Sequence, residues 1–440
     1  TNTAVGASAL NANTTGTRNV AVGDSALAAN TTGQLNTAVG YRAIQSSTTN
    51  NDITAVGFET LRLVTGGQNT AVGSRSATAL TSGTFNVAVG DFALYSATTS
   101  SSNTAIGSGT LYNNTTGATN TAVGQDTLRA NTTASNNTAV GYQAGYSNTT
   151  GTENVAVGKA ALYTNSTGNF NNAFGSGALN VNTVSYNSAF GHGSLNANTT
   201  GAENAVFGGA AALVNTTGSG LTGMGYTALR FNTTGSNNTA IGDAALYSNT
   251  TAGNNTAVGY QAAYSNTTGT DLAAFGFQAM YSQTTGARNS AFGIQALQNN
   301  LTGTDNTAVG RVALNANTAS SNTGVGSGAL YANTSGASNS AVGAGALQSN
   351  TTGGSNTALG ASALVANTTA GNNTAVGTSA LAANTTADNN TAVGYLALTT
   401  NTTGTQNTAV GRHAARLNVT GGQITAIGFN SLQAVTAAQN

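Results

Sequence analysis

Asn36-Thr37-Ala38-Val39-Gly40 decides the fold, because the chain repeats it from end to end. The closing glycine falls at 6, 23, 40, 57, 73 and onward to 428, giving 26 copies, and of the 25 intervals 22 are 17 residues and three are 16. A period this strict marks a repeat architecture before any other reading. It also overrides the expectation of two or three globular domains for 440 residues, and predicts one array over 1–440.

Numbering each unit from its glycine as zero exposes the columns. Position −1 is always large and apolar, mostly Val, with Phe174, Phe190, Phe207, Met224, Phe275 and Phe292 swelling the middle of the chain. Position −2 is Ala in nearly every unit, +3 is Ala, Ser or Thr, and +4 is usually Leu, as at Leu27 and Leu94. Positions +7 to +10 read Asn-Thr-Thr-Gly, as at Asn30 to Gly33. Helix is a poor fit, since Gly, Thr and Asn recur within every unit where good helix formers are needed. Thr-Ala-Val suits a short strand with alternating side chains. Ala-Leu at +3 and +4 is expected to open a second strand, with Gly at zero and Gly or Ala at +10 making the corners.

Those features predict an all-β, parallel β-solenoid of about 26 coils. At about 4.8 Å per coil, 25 steps make a rod roughly 120 Å long. Proline, which cannot donate to a β ladder, is absent, as are cysteine and tryptophan. The Asn and Thr columns are expected to form side-chain ladders. The three short units, ending at Gly73, Gly191 and Gly326, read as losing a residue between +10 and the next Asn, which places a loop there. All 22 charges sit at +1, +2, +5, +6, +11 or +12, so these positions should face solvent.

Strand alternation sends Ala at −2 and Val at −1 to opposite faces. The uniform smallness of the Ala column suggests that it points in. The Val column then forms an apolar stripe outside, the mark of an interface. The opposite orientation would give a self-sufficient monomer.

At this point the repeat resembles the head repeats of trimeric autotransporter adhesins, the YadA-like β-roll, whose coil carries Ser-Val-Ala-Ile-Gly; Asn-Thr-Ala-Val-Gly followed by x-x-Ala-Leu looks like it. The stretch Thr256 to Gly269 is also similar to bacterial and phage tail-fibre shaft repeats. The resemblance implies a left-handed roll, a parallel homotrimer and an extracellular, surface-attached setting. The coil here is longer than that family's usual coil, and Thr37 and its equivalents stand where the family has an apolar residue.

Chemical motifs are sparse. Only 5% of residues are charged, and the net charge is zero, with no basic stripe for nucleic acid. No apolar run reaches 18 residues, so no membrane span is expected, and the repeat begins without a signal peptide. Gly158-Lys159-Ala160 lacks the spacing of a phosphate loop. His192 and His413 are 13 coils apart and Asp24, Asp91 and Asp243 are several coils apart, while Asp126 and Glu153 occupy different turn positions. The reading is therefore no catalytic, cofactor-binding or metal-binding residues and no enzyme. Asn-x-Thr at Asn13, Asn30, Asn114 and Asn148 is formally a glycosylation sequon, but ladder Asn is the better reading. Tyrosines gather at +5, among them Tyr95, Tyr112, Tyr146, Tyr163, Tyr247, Tyr264, Tyr281 and Tyr331; they are expected to lie over the Leu column with hydroxyls in water, the alternative being receptor or glycan contacts. The function expected is a structural extracellular shaft of an adhesin, tail fibre or filament, with partners being further copies of the chain, side by side or end to end, and a host surface or glycan. The rival is a ladder-surface module that binds ice or glycan.

Overall fold

In the computed structural model, which describes residues 1–433, every repeat is one coil of a parallel β-solenoid. Each coil carries one three-residue strand, from β1 (Thr3–Val5) to β13 (Ala205–Phe207) in the first compact unit, residues 1–220, and from β14 (Thr222–Met224) to β26 (Thr425–Ile427) in the second, which begins at Leu221. Within each unit every strand pairs in parallel with its sequence neighbour, like residue beside like: Thr121 with Thr138, Ala122 with Ala139, Val123 with Val140. The 17-residue period thus becomes a register with no slip, because a shift of one residue would turn every side chain to the wrong face.

The alternation resolves as the small column predicts. Ala139 is 1% exposed, whereas Val140 beside it is 38% exposed. Ala at −2 points into the coil and the large residue at −1 points out, unit by unit. The interior is completed by Leu at +4, the small residue at +3, and two Asn columns at +7 and −4, nearly all fully buried. Each buried Leu contributes about 1.5–3 kcal/mol. A core that is half amide holds together only if each amide is hydrogen-bonded.

They are, in two different ways. At +7 the amides form a ladder: Asn131 Nδ2 donates to Asn114 Oδ1 at 2.7 Å, and to the carbonyl of Ala134 in its own coil at 3.0 Å. At −4 the amide splices into the backbone, with amide-to-amide bonds added from Asn69 to Asn137. Asn103 Oδ1 accepts the N–H of Asn120 at 3.0 Å, and Asn103 Nδ2 donates to the carbonyl of Gly117 at 3.0 Å. The carbonyl at +10 therefore collects both Asn columns, as Gly117 does from Asn103 and Asn114. Thr at +8 also bonds to backbone and not to the next hydroxyl: Thr31 Oγ1 donates to the carbonyl of Thr48 at 3.0 Å. The expected Thr hydroxyl ladder is replaced by this side chain-to-backbone step.

Three expectations are corrected. First, +3 and +4 form no second strand; they lie in turns. The +2 and +4 residues take left-handed φ, as at Ser25 (59°) and Leu27 (53°), which bars an extended path. Coil-to-coil bonding continues regardless, with the Leu27 N–H on the Ala43 carbonyl at 3.0 Å. Second, the corners are not mainly glycine. Gly at zero is required, since Gly141 has φ of 130° and a Cβ there would lie 2.8 Å from the Gly158 carbonyl carbon. The +10 glycine is not left-handed; the third such turn falls at +12, on residues such as Asp52 (60°). Third, the short coils lose the exposed residue at +9, not one beyond +10. The carbonyls of Val184 and Ala319, both at +9, accept from Asn171 and Asn306 at 2.8 Å, the role of +10 elsewhere. Gln68 and Tyr186 then keep the left-handed φ of +12. The segment +11 to +12 bonds coil to coil, as Asp52 N–H does to the Gln34 carbonyl, so it is not the free loop.

Candidate interaction face

Outside the coil, one strand face stands unpartnered in each unit. Its central column is the −1 residue: Val56, Val72, Val140, Val342 and Val410 are each 36–39% exposed, and Phe207 and Phe292 slightly more. The Thr at −3 flanks it on the same face, exposed or half-exposed. No residue of any strand carries charge, and Gly at zero adds none. Every Asp, Glu, Lys and Arg among the described residues is at least partly exposed, at the turn positions where the sequence puts them.

Phenylalanine widens this face in two places. Phe174, Phe190 and Phe207 stack with ring centroids 4.6 Å apart and planes within 7°. Phe275 and Phe292 stack at 4.9 Å and 6°. The in-register pairing of the strands dictates this geometry: equivalent rings on successive coils meet face to face at the strand spacing.

The Tyr column at +5 behaves likewise. Tyr95 and Tyr112 stack at 5.0 Å, Tyr146 and Tyr163 at 5.1 Å, and Tyr247, Tyr264 and Tyr281 follow at 4.8 and 5.2 Å. Within each stack the rings cover one another, while Tyr331 stands exposed. Between Tyr112 and Tyr146, Arg129 fills the same column, its guanidinium 4.8 Å from the Tyr112 centroid and paired with Asp126. Burial, then the neighbouring Tyr247 and Tyr281, pushes the Tyr264 phenol above its ordinary value.

Sequence-singled residues resolve as follows. Asn30, Asn114 and Asn148 of the Asn-x-Thr triplets are buried, and the Nδ2 that would carry a glycan donates to ladder and carbonyl. His192 is exposed, and His413 lies beside Tyr395 and Phe429. Among the described residues no three His, Asp or Glu side chains come together as a metal site. Asp126 goes to Arg129, so it does not combine with Glu153 into an acid pair.

Residue spacing alone did not reveal two charge arrangements. Arg42, Glu59 and Arg75, all at +2 on successive coils, form a ladder with N–O distances of 3.9 and 3.4 Å. Arg288 and Asp305, both at +12, make a two-point bridge at 2.7 and 2.9 Å, whose hydrogen bond holds the Asp305 carboxyl below its ordinary value. The signal was available as opposite charges one period apart in the same column.

Fold and columns together define a β-solenoid repeat protein. Neither protein-family models nor curated proteins match the chain. No helix among the described residues is long and apolar enough to cross a membrane.

Proposed function

We propose that the chain is a non-enzymatic structural shaft, part of an extracellular adhesin, tail fibre or filament, whose copies associate side by side through the −1 column as a parallel homotrimer. The carrying observation is the direction of that column: Val140 and its equivalents face outward, uncharged, coil after coil.

Magnitudes favour association by many coils over association by a few. Covering the exposed two-fifths of one Val contributes about 0.6 kcal/mol. One coil cannot offset the 4–15 kcal/mol or so that association costs. Thirteen coils of one unit sum to about 8 kcal/mol, inside that range. A second copy is the partner that suits the face. It alone has the same rise, so its contacts stay in step over every coil, and a face without charge offers nothing to an oppositely charged partner. Light scattering on the parent and on a Val140→Asp, Val157→Asp variant tests the reading; a parent with the mass of one chain ends it.

The rival of ice binding has one observation in its favour, because Thr at −3 and Val at −1 project together from many of the strands, as at Thr121 with Val123 and Thr138 with Val140. The phenylalanine-widened coils break the flatness such a face needs. Thermal hysteresis of the pure protein separates the two readings, and a freezing point without hysteresis removes the rival.

A further inference from the structure

We infer that the phenylalanines of the outward column set the axial register between copies of the chain. This rests on the self-association proposed above and adds what that reading lacks, a reason for copies to align.

A uniform column cannot align itself, and beside it the −3 position varies only by Val20, Val87 and Val155 among Thr along this run. In the first unit the column runs from Val5 to Val157 through ten β-branched residues, Ile106 being the one that is not Val. Sliding one copy past another by one coil, about 4.8 Å, sets Val against Val again. Only the contact at the end of the run is lost. Register is weakly specified wherever the facing residues are all alike, and a feature that breaks the pattern is needed to fix it.

Three phenylalanines supply that feature in the first unit. Phe174, Phe190 and Phe207 close the uniform run, and their stacked rings turn three successive coils into one broad step. Phe207 remains 41% exposed, so the step projects where a copy would sit. In the second unit Phe275 and Phe292 make a step of two, with Val258 before and Val309 after. The two steps differ in length, so one cannot stand in for the other. With copies level, broad coils meet broad coils and the Val coils keep their contacts. A slip of one coil lengthens each broad zone at both ends and opens gaps beside the adjoining Val side chains, where dispersion contacts are lost outright. The rings also hold one another parallel, so they cannot fold away to accommodate the slip.

The chain contains no cysteine, which makes the register directly readable. Val123→Cys and Val140→Cys, on neighbouring coils of the uniform run, are prepared separately with tags of different length, refolded together and oxidised. Level copies bring like positions together, giving 123–123 and 140–140 disulfides. A 123–140 bond requires a slip, because one coil of offset carries like positions apart and brings unlike ones within disulfide reach. In the parent background the cross-coil product should be at least tenfold rarer than the same-coil products. With Phe174, Phe190, Phe207, Phe275 and Phe292 all replaced by Val, it should rise to near parity while the mass in light scattering stays unchanged. The replacement keeps the fold, since Val fills this position in sixteen other coils. Cross-coil bonding as frequent in the parent, or no rise in the variant, overturns the assignment. A parent of single-chain mass instead overturns self-association itself, and the register with it.

Discussion

Gly145 shows how much one side chain decides in so narrow an interior. It stands at +4, where Leu128 and Leu162 fill the coils on either side, and it leaves a cavity of about 10 Å3 among Leu128, Ala139, Asn148, Leu162 and Asn165. Its φ of 59° is the left-handed conformation that the Leu residues of this column already adopt. The nearest obstacle to a Cβ is a terminal methyl of Leu128, at 2.8 Å, which can turn aside. Burying a Leu there contributes about 2–3 kcal/mol, against about 1–2 kcal/mol for a left-handed non-glycine residue, so Gly145→Leu should raise stability by no more than about 1 kcal/mol; a lower denaturant midpoint would contradict it. Tyr264 carries a pH prediction at the same scale. Its raised pKa means that the folded chain favours the neutral phenol, so its contribution is fully present below the pKa of unfolded tyrosine. The contribution is lost as pH rises through the higher folded value. In an absorbance titration of the phenolate, the signal lost in Tyr264→Phe should fall above the ordinary tyrosine range.

At the scale of one coil, the account turns on which segments are tied. Positions +8 to +10 converge on a single carbonyl: the N–H groups of Thr14, Thr15 and Gly16 all point to Thr31 O, at 2.9, 3.1 and 3.2 Å. Losing the middle one leaves the others in place, which is what the short coils do. Deleting Thr133, exposed at +9, should cost less than about 1 kcal/mol. Deleting Thr152, at +11, should cost several-fold more, because its N–H is held by Asn169 Oδ1 and its neighbours by the adjoining coil. Equal melting temperatures for the two deletions would refute this placement. The short coils also explain an orphan: Asn182 turns its Nδ2 to the Val184 carbonyl, and Asn165 Oδ1 is left buried without a partner. The ladder breaks again after Asn30, where +7 becomes Ser47, Val64, Leu80 and Ala97, and Asn30 Oδ1 is likewise unpaired. The −4 column forms a side-chain ladder of its own from Asn69, inside this gap, to Asn137, beyond it, Asn86 Nδ2 donating to Asn69 Oδ1 at 3.1 Å.

Much of the coil was legible before any coordinates. Period, strand and the inward Ala follow from residue size and alternation, which are local properties. The left-handed turn at +4 was not legible, because Leu27 is a poor advertisement for that conformation, whereas the recurring Asn and Asp at +12, such as Asp52 and Asn136, carried a signal that was passed over. The conformation's cost of about 1–2 kcal/mol per residue is offset by bonds to coils 17 residues away. The missing +9 residue was misplaced for a related reason: aligning letters at the next Asn cannot show which carbonyl that Asn column reaches. The outward column was legible as a candidate face because charge avoids it. The stacking of Tyr95 on Tyr112 depended on a rise that only the folded array supplies.

For the whole molecule the central claim is that the outward column needs company. Each unit buries its own Ala, Leu and Asn and still presents a large apolar residue (Val, Phe, Ile, Met or Leu) on every strand. Two adjacent carboxylates there, Val140→Asp with Val157→Asp, leave the interior untouched because neither side chain faces it. They would be buried without a partner in an assembly, at a cost of several kcal/mol each. The variant should keep the β signature in circular dichroism and dissociate at a higher protein concentration than the parent by at least tenfold. The most direct test is the mass of the parent in solution by light scattering. The account predicts three times the 43.0 kDa of one chain, or a multiple of that trimer. A mass of 43.0 kDa that persists as concentration rises would contradict it.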